Sequence, residues 1–217
     1  MQEPVKTRTY SSALRRERAA ATRERVLAAA RELFLEHGWT RTTARGIAAR
    51  AGVSLDTVYA AAGRKPQLML ELVEQAISGQ GQAVAAEARD YVQAVRRAPH
   101  ARAKIEAYAA ALAVLLPRLA PLVQVLREAT PADADCARLW QGIADRRASN
   151  MLLFAQDLRG TGELRSDLTD EDVADLVWST NAPEYFQLLA DRGWTPERYR
   201  RLLVDLWSRV LLEDRAD

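Results

Sequence analysis

Arg41-Thr42-Thr43-Ala44-Arg45-Gly46-Ile47-Ala48-Ala49-Arg50-Ala51-Gly52-Val53-Ser54-Leu55-Asp56-Thr57-Val58-Tyr59 is the stretch on which the fold turns. Two short helices that meet at a steep angle need a small residue where they approach, and Ala48 supplies it. The tight turn between them favours glycine, here Gly52, and Ser54 suits the N-cap of the second helix. Apolar side chains must seal the wedge, and Ile47, Val53 and Val58 fall in register to do so, with Leu33 and Phe34 of a preceding helix as the third wall. The other face of the second helix stays small and polar. This is the pattern of a helix-turn-helix, whose second helix enters the major groove of DNA.

Outward from that stretch the chain reads as helix throughout. Val26, Leu27, Ala30, Leu33 and Phe34 recur at helical spacing before Gly38, which sits where a left-handed cap belongs. A fourth helix opens at Lys65-Pro66, presents Met69, Leu72, Val73 and Ala76 as a stripe, and ends near Gly79-Gln80-Gly81. Further helices are expected over 85–97, 101–116 and 133–158. Thr169 and Asp172 resemble a capping box that opens a helix running to about Asp191 with a kink at Pro183, and Thr195-Pro196 start the last helix. Pro117 and Pro121 predict a break after residue 116. Ten glycines in 217 residues and no β-branched runs favour helices over strands. The fold class is all-α.

Charge is unevenly placed. Residues 1–65 hold 13 Lys and Arg against 6 Asp and Glu, a balance of 13 − 6 = +7, whereas 66–217 hold 18 against 23, or −5. A basic head on a mildly acidic body suits a head that meets a polyanion. The hydrophobic share of 48% excludes disorder as the default, and the single Cys136 excludes an internal disulfide. With no signal-peptide-like apolar stretch near the start, a cytoplasmic location is expected. The longest apolar stretch, Ala107 to Leu126, is interrupted by Pro117, Arg118 and Pro121, so each piece is shorter than the roughly 20 residues that span a bilayer, and no membrane partner is expected. His37 and His100 are the only histidines, no glycine-rich phosphate loop is present, and acidic clusters such as Asp170-Glu171-Asp172 fit a helix's first turn. No catalytic residue, cofactor or metal site is expected, and the chain is read as a non-enzyme.

Residues 22–77 resemble the DNA-binding domain of the TetR (tetracycline-repressor-like) family, through Leu33-Phe34, Gly38, Thr42-Thr43, Ile47-Ala48, Ala51-Gly52-Val53-Ser54, Thr57-Val58-Tyr59 and Lys65 before Leu68. Two positions depart from the family's pattern. Its usual Tyr-x-x-Phe is Tyr59-Ala60-Ala61-Ala62 here, and Asp56 replaces a glycine. The resemblance implies an N-terminal three-helix helix-turn-helix domain joined by a connecting helix to a helical bundle for ligand binding and dimerisation. The expected divisions are a basic arm over 1–18, the DNA-binding domain over 19–65 and the sensing and dimerisation domain over 66–217.

The same resemblance implies a repressor, a homodimer on a palindromic double-stranded DNA operator, released by a small-molecule effector. Thr42, Thr43 and Arg45 would meet phosphate and a base edge, Ser54, Leu55, Asp56 and Thr57 would lie along the groove, and Tyr59 and Lys65 would hold flanking phosphates. The chemistry fits, since a helix N-terminus and an ammonium suit phosphate and a guanidinium suits guanine. Asp56 is read either as an acceptor from cytosine or as a carboxylate tuning its own helix. Candidate effector contacts are Tyr108, Leu112, Leu115, Trp140, Met151, Phe154 and Trp178, with Asn150 and Asn181 as polar groups that orient a ligand or serve as satisfied core amides. The expected dimer surface comprises Val173, Leu176, Val177, Leu202, Leu203, Leu206, Trp207 and Val210. The alternative is a helical DNA-binding protein without ligand sensing, architectural or controlled by a protein.

Overall fold

The computed structural model describes residues 7–79 and 84–213, with side chains from residue 14 onward. Ten α-helices make up its regular structure among the described residues: α1 (Thr7–Arg41), α2 (Ala44–Ala51), α3 (Leu55–Ala62), α4 (Lys65–Ser78), α5 (Asp90–Arg97), α6 (Ala101–Ala129), α7 (Ala134–Arg159), α8 (Asp170–Thr180), α9 (Pro183–Ala190) and α10 (Pro196–Leu211). They group into two compact units that divide inside α4, between Leu72 and Val73.

In the N-terminal unit, Val26, Ala30 and Phe34 from α1, Ile47 from α2, Val58 from α3 and Met69 from α4 are fully buried. α1 packs against both α2 and α3. Helix is already formed at Thr7, within the stretch expected as a basic arm over 1–18, and the run from Ala13 to Ala21 consists of strong helix formers. Of the expected basic arm, positions 1–6 and the side chain of Arg8 lie outside the described residues. Gly38 has φ 71° and bends α1 there, as its left-handed role requires. Gly52 closes α2 at φ 64°, and its N–H reaches the carbonyls of Ala48 and Ala49.

The C-terminal unit is built around α6, which packs against α5, α7, α9 and α10, while α7 packs against α8. The break expected at Pro117 and Pro121 does not occur, and α6 is one helix of 29 residues. Each proline removes one N–H and one helical bond. Leu115, Leu116, Leu119, Ala120 and Leu122 are buried around them, and that packing outweighs the local loss. α6 is therefore long and apolar enough to cross a membrane by length and composition, but 56% of its apolar window is buried inside the fold, as in a core helix. Pro183 also acts differently from the expected kink. Ala182 is extended at ψ 140°, as a residue before proline prefers, so α8 and α9 are separate helices with Pro183 in the first turn of the second. The expected helix over 85–97 divides likewise into a 3-10 turn, Ala86–Ala88, and α5, with Arg89 extended between them.

Caps and ion pairs fix the helix ends. Thr169 and Asp172 form the expected capping box on α8. The buried Lys104 donates to the last-turn carbonyls of Val95 and Arg96 (both 3.1 Å) and pairs with Asp157 (2.9 Å), tying α5, α6 and α7 together. Of the expected end of α4, Gly79 is described and Gln80 and Gly81 lie outside the described residues.

Candidate functional site

The polar residues of the helix-turn-helix separate into a solvent-facing set and a structural set. Thr43 caps α2, its hydroxyl accepting from the Gly46 N–H at 3.0 Å, and Ser54 caps α3, accepting from the Thr57 N–H at 3.1 Å. Both N-termini thus hold exposed hydroxyls beside unpaired backbone donors, the arrangement that receives an anion. Arg45 is exposed and makes no ion pair among the described residues. Asp56, Tyr59 and Ala60, at helical spacing, form the exposed face of α3, with Tyr59 47% exposed, whereas Val58 and Ala62 face the core. Leu55 and Thr57 are half-buried, and the Thr57 hydroxyl lies 2.7 Å from that of Ser54.

Thr42 and Lys65 stand apart from that set. The Thr42 hydroxyl is buried within 2.9 Å of the Leu33 carbonyl and 2.7 Å of that of Gly38. The Lys65 ammonium donates to the carbonyls of Trp39 (2.8 Å) and Thr42 (3.1 Å) and lies 4.1 Å over the Trp39 ring, which itself stacks on Phe34. Both residues hold the α1–α2 connection in place. The small residues at the end of α3 are also clamped, since Arg23 donates to the Ala61 carbonyl and pairs with Glu71.

Of the nine candidate effector contacts, Tyr108, Leu112, Leu115, Asn150, Met151, Phe154 and Asn181 line one cavity of about 500 Å3 in the C-terminal unit. Trp140 lines a neighbouring cavity that shares Arg147 and Asn150 with the first. Trp178 lines neither; its ring lies 4.9 Å beneath the Arg147 guanidinium and its carbonyl accepts from it at 2.7 Å. Asn181 is buried at the centre of a side-chain network. Its amide nitrogen donates to the Tyr108 hydroxyl at 2.9 Å and approaches the Met151 sulfur at 2.8 Å, and its oxygen accepts from Arg147 at 2.8 Å. Burial pushes the Tyr108 phenol well above its ordinary value, reinforced by Tyr91 and opposed by Arg147 and the Asn181 hydrogen bond. Burial draws the Arg147 guanidinium down.

Residues 26–72 match the model of the bacterial regulatory proteins of the tetR family. The helix-turn-helix domain is thus of the TetR kind. No curated protein matches it. Among solved structures, the SmeT–triclosan complex, SmeT being the repressor of the Stenotrophomonas maltophilia multidrug efflux pump SmeDEF, superposes with a TM-score of 0.69 at 20% identity, over 90% of this chain and 93% of that one. NalD, the secondary repressor of the MexAB-OprM multidrug efflux pump in Pseudomonas aeruginosa, gives 0.69 at 21% identity, over 90% and 98%. A Saccharomonospora viridis protein solved in complex with choline gives 0.68 at 18% identity, over 90% and 100%. At these identities the likeness concerns the fold.

Sequence reasoning overlooked several residues of this cavity, Tyr91, Leu119 and Arg147 among them, and Arg147 is the one with a readable signal. It precedes Asn150, Met151 and Phe154 by three, four and seven positions, so helical spacing alone places it on their face of α7. The expected dimer surface needs correction. Val173, Val177, Leu203 and Trp207 are fully buried within this chain's own core. Trp207 donates from its indole to the Thr180 hydroxyl (2.8 Å), and the Tyr199 hydroxyl donates to the Thr180 carbonyl (2.8 Å), so the stripe of α10 is turned inward. Leu176, Leu202, Leu206 and Val210 remain half-exposed.

Proposed function

We propose that the protein is a sequence-specific DNA-binding repressor whose hold on its operator is released by a small-molecule effector. The observation that carries this reading is the pairing of a TetR-family helix-turn-helix, with Thr43, Arg45, Ser54, Asp56 and Tyr59 exposed on its two helix starts and the outer face of α3, with a cavity of about 500 Å3 elsewhere in the chain. That volume suits an organic ligand of moderate size. Thr42 and Lys65 serve the reading through geometry, by fixing the connection from which α2 starts. The reading makes the protein a cytoplasmic homodimer with two recognition helices on a palindromic site, half-sites about 34–36 Å apart or a multiple of that. Leu176, Leu202, Leu206 and Val210 are the apolar residues left for the subunit contact. α4 carries both Lys65 and Ile77, a residue lining the cavity, so one helix joins the DNA-binding unit to the effector's wall.

The test is fluorescence anisotropy on DNA upstream of the protein's own coding region, with and without a metabolite library. Release of DNA by a metabolite supports the reading. Binding that no metabolite changes leaves a DNA-binding protein without sensing. Arg45→Ala is expected to cost about 1–3 kcal/mol at one base position and spare random DNA. Equal loss on cognate and random DNA would make Arg45 a phosphate contact.

A further inference from the structure

The charged residues around the larger cavity are Glu87, Arg89, Arg96, Arg147 and Asp157, and most of them are accounted for. Arg89 pairs with Glu74 at 3.1 Å and Asp157 with Lys104 at 2.9 Å. Glu87 and Arg96 are exposed to solvent. Arg147 differs. It is drawn into the interior, and no carboxylate lies within ion-pair distance of it among the described residues. Its two hydrogen bonds, to the Trp178 carbonyl and the Asn181 amide oxygen, both leave from Nη2 and both end on neutral acceptors. Glu184, the nearest acidic influence upon it, is engaged by Arg127 at 2.8 Å. Nε and Nη1 therefore keep N–H donors with no protein acceptor among the described residues. A guanidinium stays charged in any protein, so a partly buried one without a counter-anion is a standing cost that a bound anion removes.

The surroundings specify the rest of the ligand. Asn150 lies three residues along α7 from Arg147, lines the same cavity, and has no side-chain hydrogen bond among the described residues. The wall that α6 contributes is apolar. Leu112, Leu115, Leu116 and Leu119 come from α6, and Tyr108 and Phe154 pack with ring centroids 4.9 Å apart beside Tyr91.

We propose that the cavity takes an apolar aromatic monoanion, an aryl carboxylate, with its carboxylate on Arg147 and Asn150 and its ring against Tyr91, Tyr108 and Phe154. A charge-assisted hydrogen bond from one of the free Arg147 donors, with the Asn150 amide beside it, separates the carboxylate from a neutral or cationic molecule of the same shape. The proposal rests on the effector-sensing reading above, and it specifies the class of effector.

The experiment compares three probes of one shape by titration calorimetry on the full chain: 1-naphthaleneacetate, its neutral amide, and (1-naphthylmethyl)trimethylammonium. The carboxylate is expected to bind about tenfold or more tighter than the amide, and the ammonium weakest, a ratio that one charge-assisted hydrogen bond supplies. Arg147→Gln keeps a donor for Asn181 and removes the charge. It should bring the carboxylate down to the level of the amide while the amide changes less than about twofold. If the variant does not fold, the ranking of the three probes on the parent protein decides by itself. Equal binding of carboxylate and amide, preference for the ammonium, or no binding of any probe at about 1 mM overturns the proposal, and the metabolite screen still stands to test sensing. A carboxylate that binds as expected without altering DNA affinity upholds the ligand class and removes the regulatory reading.

Discussion

The two units satisfy their interior polar groups in different ways. In the N-terminal unit the Thr42 hydroxyl and the Lys65 ammonium both end on main-chain carbonyls, those of Leu33, Gly38, Trp39 and Thr42. Around the cavity of the C-terminal unit, Lys104, Arg147 and Tyr199 also reach carbonyls, but the Asn181 side chain bonds to other side chains, those of Tyr108, Met151 and Arg147, as Trp207 does to Thr180. A carbonyl in a helix or its cap has a fixed position, so a group bonded to it holds the backbone in one shape. A side chain bonded to another side chain can exchange that partner for a ligand at little cost in backbone order. The first arrangement suits a surface that must match the fixed spacing of DNA. The second suits a site that must respond.

The strongest way to break this contrast is Asn181→Leu. It leaves the Tyr108 hydroxyl and Arg147 each short of a partner, and a loss of about 2–4 kcal/mol is expected in urea denaturation, from about 1–3 kcal/mol per orphaned group. A loss below about 1 kcal/mol would mean that the network does not hold the cavity together. Thr42→Val removes a buried hydroxyl from fixed carbonyls and should cost about 1–3 kcal/mol. DNA affinity should fall beyond what the stability change explains, because the start of α2 is displaced. If affinity is unchanged once stability is restored with an osmolyte, the hydroxyl does not set the DNA-binding geometry.

Alkaline pH sharpens the comparison more gently. Burial raises the folded-state pKa of both Tyr108 and Tyr199, with nearby phenols adding to it and Arg147 opposing it. Below about pH 10, where free tyrosine ionises, folded and unfolded chains hold these protons equally and the stability is fully present. Above it the unfolded chain releases them first, so stability falls, by at most about 1.4 kcal/mol per pH unit for each phenol. Denaturation midpoints measured between pH 9 and 11 should decline, and Tyr199→Phe should flatten the decline. An unchanged slope would show that Tyr199 ionises equally in both states. The smallest effect belongs to the cap of α3, where Ser54→Ala should cost about 1 kcal/mol and weaken DNA binding modestly. An anisotropy titration that shows no change would leave Ser54 a cap alone.

The N-terminal unit was legible because its rules are local. Glycine at a left-handed turn, hydroxyls one residue ahead of a helix and apolar residues at helical spacing each depend on a few neighbours, and Gly38, Gly52, Thr43 and Ser54 stand where those rules put them. The same local rules misled at Pro117 and Pro121, because the burial that keeps α6 continuous comes from α5, α7, α9 and α10, far away in sequence. Periodicity identified the apolar stripe of α10 but not what covers it, and Leu203 and Trp207 are covered by their own chain. The cavity residues of α6 and α7 were readable as an inward face. Whether an inward face is filled or hollow depends on the side chains opposite, which no window of sequence contains. Arg147 and Lys65 show the same limit from two sides: a basic residue's role is set by which carbonyls and rings fold against it.

The stacking of Phe34, Trp39 and the Lys65 ammonium gives the chain an optical property. Trp39 is the only tryptophan before residue 140, and at 7% exposure its indole faces a ring and a cation in place of water. Trp140, Trp178, Trp194 and Trp207 all belong to the C-terminal unit, with the Trp207 ring 5.9 Å from that of Tyr108 at the cavity wall. Subtracting the emission of a Trp39→Phe variant from that of the parent isolates the N-terminal unit, and the variant alone reports on the other. The protein thus carries two separable fluorescence channels without any attached dye, one for each half.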